Sequence, residues 1–407
     1  MRSAPESPVS TTRLPTAIWA LGFVSLLMDV SSEMVHSLLP VFLVTAVGAS
    51  ALAVGVIEGL AEALALIVKV FSGALSDYWG KRKGLAVIGY GMGALSKPLF
   101  ALAPGVGLVL VARLIDRTGK GIRGAPRDAL IADIAPADMR GAAFGLRQSL
   151  DSVGAFLGPL LAVGLMLLWA NDFQAVFWVA VIPGLLAVLV LVLGVKEPAH
   201  PHASRGVNPI RRENLRRLSR SYWIVVLLGG CFALARFSEA FLLLRAEDGG
   251  LAVSWIPLML VIMNMVYSLS AYPVGRLADR MSHTALLAMG LVVLLVADLV
   301  LAASNHWTVV TLGVALWGLH LGMTQGLLAA MVAHTAPPDL RGTAFGAFNL
   351  VSGLALLVAS VLAGLLWDQF GAVATFLAGA SFCCVTLLGL LWLKKSRIIA
   401  FAELASD

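Results

Sequence analysis

The chain has 407 residues, 59% of them hydrophobic and only 13% charged, with a net charge of +6 and a mean hydropathy of +0.90. A soluble globular chain carries roughly twice that charged fraction, so a soluble enzyme or binding module is excluded. The basic surplus lies in short loops beside apolar runs, which argues for membrane topology and against nucleic acid.

Apolar runs of at least about 18 residues predict helices over 16–47, 50–77, 84–104, 106–133, 138–168 and 173–195, and then over 221–247, 252–279, 284–304, 306–335, 339–368 and 372–394. The expected fold is an all-α polytopic membrane protein of twelve transmembrane helices in two six-helix bundles. Its domains would be an N-terminal tail 1–15, a bundle 16–195, a basic linker 196–220, a second bundle 221–394 and a C-terminal tail 395–407. The first run is too long for a signal-peptide core of roughly 7 to 15 residues, so it is expected to remain as a membrane helix. The linker holds Pro198, Pro201 and Pro209 and a run of arginines from Arg211 to Arg220, the punctuation expected between two halves. Lys81, Arg82 and Lys83, Arg140, Arg276 and Lys394 fall on the linker side, whereas Asp172, Glu247, Asp248 and Asp368 fall opposite, with Arg245 among them. Both termini are therefore expected to be cytoplasmic. Cys231, Cys383 and Cys384 sit in apolar runs without a CxxC pair, and no structural disulfide is expected.

The chain repeats itself. The stretch from Ala135 to Gly145, with Asp138, Arg140 and Gly141, returns from 336 to 346 with Asp339, Arg341 and Gly342, and Gly73 and Asp77 return as Gly275 and Asp279. Two matches at nearly one offset indicate a duplicated six-helix unit, with a binding site expected between the halves.

The N-terminal half is unusually charged inside its apolar runs. Asp29, Glu33 and His36 share one helical face, as do Glu58, Glu62 and Lys69. Arg113, Asp116, Arg117, Lys120, Arg123 and Arg127 run down the fourth helix, and Arg147 and Asp151 sit four apart on the fifth. An ionised side chain near the bilayer centre costs about 2.5 to 3.5 kcal/mol on insertion scales, so such residues face a wet cavity or each other and mark transport pathways. Buried ion pairs are one reading, but hydrophobic replacements are often no less stable, so stability alone accounts poorly for so many charges. Proton coupling accounts for them better, because desolvation favours the protonated carboxyl and a nearby arginine the ionised one. Asp29 and Glu33 are the expected exchanging carboxylates, with Arg117 as modulator and Glu58, Glu62 and Asp151 as further members. His36, Arg113, Lys120, Arg123, Arg147, Arg236, Glu239 and His320 are expected to contact substrate. Imidazole and carboxylate suit nickel, cobalt or zinc, so His36, His320 and Met323 are candidate ligands if the substrate is a metal ion.

The segment Gly73-Ala74-Leu75-Ser76-Asp77-Tyr78-Trp79-Gly80-Lys81-Arg82-Lys83 resembles the loop 2–3 motif GxLxDRxGRR of the major facilitator superfamily, with Tyr78 at a usually basic position. Arg117-Thr118-Gly119-Lys120-Gly121-Ile122-Arg123-Gly124-Ala125 is similar to that family's antiporter motif RxxQGxGaA, and Gly154 to Pro159 resembles the GxxxGP motif of its proton-coupled exporters. The segments 29–40 and 116–128 look like a bacterial branch that includes nickel-resistance permeases. The resemblance implies helices 1, 2, 4 and 5 lining a central cavity, and a cytoplasmic gate of Gly73, Asp77, Arg82, Asp133 and Arg140. It also implies a hinge at Gly154, Gly158 and Pro159.

The expected function is a monomeric proton-coupled exporter of the bacterial inner membrane, working by rocking its two halves within the lipid bilayer. Its substrate would be a divalent metal such as nickel or a small amphiphilic drug. The alternative is an importer of an organic anion or siderophore-type compound, motivated by the basic stripe on helix 4. No P-loop or nucleophile–base constellation stands out, so neither an enzyme nor a cofactor is expected.

Overall fold

The computed structural model describes residues 14–79, 81–197, 212–278, 281–303, 305–337 and 340–395. The two expected tails beyond them, most of the 196–220 linker and the side chain of Asp77 lie outside the described residues. Among the described residues twelve long helical spans follow one another: α1 (Thr16–Ala46), α2 (Ala51–Trp79), α3 (Arg82–Ala101), α4 (Val106–Ile134), α5 (Arg140–Leu168) and α6 (Phe173–Gly194), then α7 (Arg220–Asp248), α8 (Leu258–Ala278), α9 (His283–Ala303), α10 (Trp307–Thr335), α11 (Arg341–Phe370) and α12 (Ala372–Lys395). Ten of these regions are long and apolar enough to cross a membrane, and α3 and α4 complete the set with charge in their interiors.

Local sequence sets the helix starts. Asp172 accepts the Ala175 amide at the head of α6, Ser219 accepts the Tyr222 amide at the head of α7, and Ser282 accepts the Ala285 amide at the head of α9. Three predicted continuous helices are broken. In α1 the helix stops at His36 and resumes at Leu39, because Pro40 lacks an N–H and its ring crowds the carbonyl four residues back. In α10 the helix ends at Thr324, and Gly326 restarts it from a left-handed backbone with φ of 90°. In α7 residues 236–239 leave the helix. There the Ser238 amide is taken up by the Ser360 hydroxyl of α11 at 3.2 Å, and the Ala240 amide by the Ser238 hydroxyl. The interruptions of α1 and α7 occupy corresponding places in the two repeats.

Within the first half α1 packs against α5 and α6, α3 against α4 and α6, and α2 against α4; within the second, α10 packs against α8 and α9, and α7 and α9 against α12. The halves meet chiefly along two seams, α2 with α11 and α5 with α8, and more lightly where the interrupted helices α1 and α7 touch. The first is a small-residue seam: a side chain on Gly55 would collide with the Ser360 carbonyl, and one on Gly364 would lie 2.5 Å from the Ala51 carbonyl. Such stripes let membrane helices approach closely. At the end remote from the linker the Ser254 hydroxyl donates to Asn171 at 2.5 Å, joining the halves again. Arg245, expected in an outer loop, is instead buried in the last turn of α7, where it pairs with Asp248 and donates to the Leu301 carbonyl and to Asn305.

Candidate functional site

The face of α1 that carries Asp29 and Glu33 lies on α5. A side chain on Gly154 would stand 2.6 Å from the Leu26 carbonyl and 3.0 Å from Asp29 Cβ, and one on Gly158 would stand 2.7 Å from Glu33 Cβ. The expected hinge segment, ending at Pro159, therefore seats directly on the turns that bear the two carboxylates.

Between the halves lies a cavity of about 250 Å³. From the first half it is lined by Glu33, His36, Glu58, Glu62, Arg117 and Lys120, and from the second by Arg236, Ser238 and Glu239 of the α7 break together with Asn264 of α8. Phe237, Leu260 and Leu356 supply apolar wall. Every charged residue of this lining was among the sequence-based candidates, whereas Ser238 and Asn264, whose short polar side chains carry no distinctive pattern, were not.

Behind this lining runs a buried ion network. Arg113 donates to Glu58 at 2.6 Å and to His36 Nδ1 at 2.8 Å, and lies 3.8 Å from Asp116. Because guanidinium is always a donor, His36 Nδ1 is an acceptor here. Asp116 accepts from Lys97 at 2.6 Å and from Ser96 at 3.3 Å, and Lys97 also donates to Ser32. Lys97, Arg113 and Glu58 are each about 1% exposed. Arg117 pairs with Glu62 at 3.2 Å at the cavity wall. Lys97 was absent from the expectations, although a lysine within the apolar run of α3 satisfies the same rule that marked the others.

A second cluster sits nearer the linker end. Asp29 of α1 and Asp151 of α5 are electrostatic neighbours across the α1–α5 contact, and Asp151 lies 3.5 Å from Arg147 and 3.8 Å from Arg127. Arg127 also pairs with Asp128 and donates to Ser25.

Several expected substrate contacts stand elsewhere. Arg113 is held behind Glu58, and Arg147 pairs on its own helix with Asp151. Arg123 lies over the Tyr90 ring, 4.9 Å from its centroid, between α4 and α3. Asp116 and Arg123 are seven residues apart and share this α3-facing edge, to one side of Arg117 and Lys120. His320 is buried, donates from Nδ1 to the Gly290 carbonyl at 2.9 Å and lies tilted against the Phe232 ring, 5.4 Å between centroids. Met323 is likewise buried, near Gly290. The candidate metal ligands His36, His320 and Met323 are thus directed to different partners. Among the described residues no three His, Cys, Asp or Glu side chains cluster as a metal cage.

At the expected gate Arg82 pairs with Asp133 and donates to the Ala129 carbonyl, tying the head of α3 to the end of α4 within one half. Arg140 is exposed, and Gly73 packs toward Ala125 of α4. Asp298 of α9 is fully buried with neither oxygen hydrogen-bonded among the described residues. It lies against Gly379 of α12, next to Phe237.

Comparison with known proteins agrees with this architecture. The chain matches the family model described as Major Facilitator Superfamily over residues 21–356 and 240–403. It is 33% identical over 383 residues to an uncharacterised MFS-type transporter of Methanocaldococcus jannaschii, covering 92% of this chain and 94% of that one. It is 25% identical over 404 residues to a multidrug resistance protein, MdtH, of Yersinia pestis, covering 95% and 96%. Among solved structures a peptide transporter POT in complex with sulfate superposes with a TM-score of 0.79 at 15% identity, covering 97% of both chains. The nucleoside transporter NupG superposes with a TM-score of 0.74 at 13% identity, covering 93% and 99%. Twelve spans in two packed six-helix halves, a charged cavity between them and full-length family matches lead to one conclusion: the chain belongs to the Major Facilitator Superfamily of membrane transporters.

Proposed function

We propose that this transporter is a proton-coupled exporter that exchanges protons for a small solute by rocking its halves about the central cavity. The observation that carries the reading is the seat of Gly154 and Gly158 on the α1 turns that bear Asp29 and Glu33. A bend of α5 at Pro159 moves both carboxylates relative to the cations of α4. A carboxylate carried toward or away from a fixed cation releases or takes up a proton. Asp29 and Glu33 are the exchanging groups, Asp151 shares the proton with Asp29, and Arg117, with Glu58 and Glu62 beside it, sets the field. Gly73, Asp77, Arg82, Asp133 and Arg140 belong to the gate at the linker end. The protein works as a monomer in a bacterial inner membrane with both termini cytoplasmic.

The outward direction is supported by the GxxxGP segment and by the name of the MdtH relatives. The importer of an organic anion draws less support, because Arg113 and Arg117 are already engaged by Glu58 and Glu62. The charged lining favours a compact polar cargo over an amphiphilic drug, and the dispersed candidate ligands favour an organic solute over nickel.

The test is a susceptibility and efflux screen of a deletion strain complemented with wild type, Asp29→Asn or Glu33→Gln, across nickel, cobalt, zinc, antibiotics and small polar solutes. Inside-out vesicles with an imposed pH gradient read coupling. Wild-type protection lost in both variants supports the reading, and protection by all three or by none ends it.

A further inference from the structure

We infer that the cargo is a small zwitterion, a solute with one cationic and one anionic group and no net charge. The inference rests on the carrier reading above and adds to it the chemistry of what is carried.

Four charged residues of the cavity wall are the basis. Glu33 and Lys120 come from the first half, Arg236 and Glu239 from the second. Among the described residues none of the four side chains makes an ion pair or hydrogen bond, whereas Glu58, Glu62 and Arg117 on the same wall are all paired. Within each half the acid and the base face each other, Glu33 with Lys120 and Glu239 with Arg236, without closing to a direct ion pair. Unbonded charge in a partly dry crevice is costly, so a charged solute can satisfy groups that the protein leaves without a direct contact in this state.

The signs decide which partner. Each half offers one free acid and one free base, so an ammonium can be shared by Glu33 and Glu239 while a carboxylate is shared by Lys120 and Arg236. The whole lining is also balanced. Glu33, Glu58, Glu62 and Glu239 face Arg117, Lys120 and Arg236, with Arg113 bonded behind Glu58. A singly charged solute would upset that balance, and a zwitterion preserves it. Size agrees: about 250 Å³ is roughly eight water volumes at about 30 Å³ each, room for roughly ten non-hydrogen atoms. Ser238 and Asn264 add neutral hydrogen-bonding groups that fix orientation without changing the charge count. Because the free charges are split between the halves, the solute bridges them, which is how a cargo can favour the closed arrangement.

The experiment uses the purified full chain in detergent and reads ligand-dependent thermal unfolding. The zwitterions are 4-aminobutyrate, 6-aminohexanoate and alanyl-alanine. Hexylamine, hexanoate, hexanamide and Ni²⁺ are the cationic, anionic, neutral and metal arms. The expected result is saturable stabilisation by at least one zwitterion, at least about tenfold tighter than every other arm. Glu239→Gln should bring hexanoate level with that zwitterion, and Arg236→Gln should do so for hexylamine. Glu33→Gln and Lys120→Gln supply the same pair of tests if a variant of the second half fails to fold. Equal or tighter binding of any other arm, no binding of the three zwitterions, or a preference that survives the charge variants overturns the inference.

Carriage is scored separately, by spin labels at Ala46 and Gln369 whose separation is measured in acidic and alkaline buffer. A changing separation without zwitterion binding ends the cargo class and leaves the carrier standing. Binding without any change supports the cargo class and counts against the carrier.

Discussion

Asp368, near the end of α11, accepts the backbone N–H groups of Ala51 and Leu52 at the start of α2, both at 2.9 Å. A carboxylate of one half thus caps a helix of the other, where the helix dipole favours negative charge. The cap sits at the end remote from the linker, where the small-residue seam is also tight.

Asp368→Ala should therefore loosen that end. A charge-assisted cap is worth about 1 to 2 kcal/mol, which shifts a two-state balance roughly 5- to 30-fold. Distance distributions between labels at Ala46 and Gln369 should broaden toward longer separations. An unchanged distribution would show that the cap does not hold the halves.

Gly158→Val should cost about 1 to 3 kcal/mol through overpacking, because its new side chain meets Glu33 Cβ and the Val30 carbonyl. Gly164→Val, on the same helix with open space around it, should stay within about 0.5 kcal/mol of wild type. Unfolding midpoints in detergent check the contrast, and equal losses would remove the close α1–α5 seat.

Arg113→Gln strands Glu58 and should destabilise by about 3 to 5 kcal/mol, whereas adding Glu58→Gln should recover much of the loss. A double-mutant cycle on unfolding free energies measures the coupling. Additive losses would mean that the 2.6 Å pair contributes no interaction of its own.

Asp298→Asn should leave stability within about 0.5 kcal/mol of wild type or raise it, since the buried carboxyl has no hydrogen-bond partner among the described residues to lose. Efflux is measured on the same variant. A midpoint that holds while efflux falls would add Asp298 to the proton route, and a loss above about 1 kcal/mol would reveal a stabilising contact.

The spans were legible in the sequence because apolar runs and basic loops each have one physical cause. The charged faces of α1 and α2 were legible because i, i+4 spacing leaves them little freedom. The α7 break was not: residues 236–239 contain neither proline nor glycine, and the freed amide is met by a hydroxyl from far along the chain. His320 shows the same difficulty, since nothing within an almost wholly apolar helix says which side faces the cavity. Arg123 belonged to a recognisable stripe, yet a helical stripe has width, and its edge points toward Tyr90.

Ser360 makes two contacts at once. Its carbonyl rests against Gly55 of α2, and its hydroxyl holds the amide of Ser238. In the rocking proposed above, Ser360 would therefore tie the seam against α2 to the short unwound segment that presents Arg236 and Glu239, so that opening one mouth of the protein would be felt where the passenger is held.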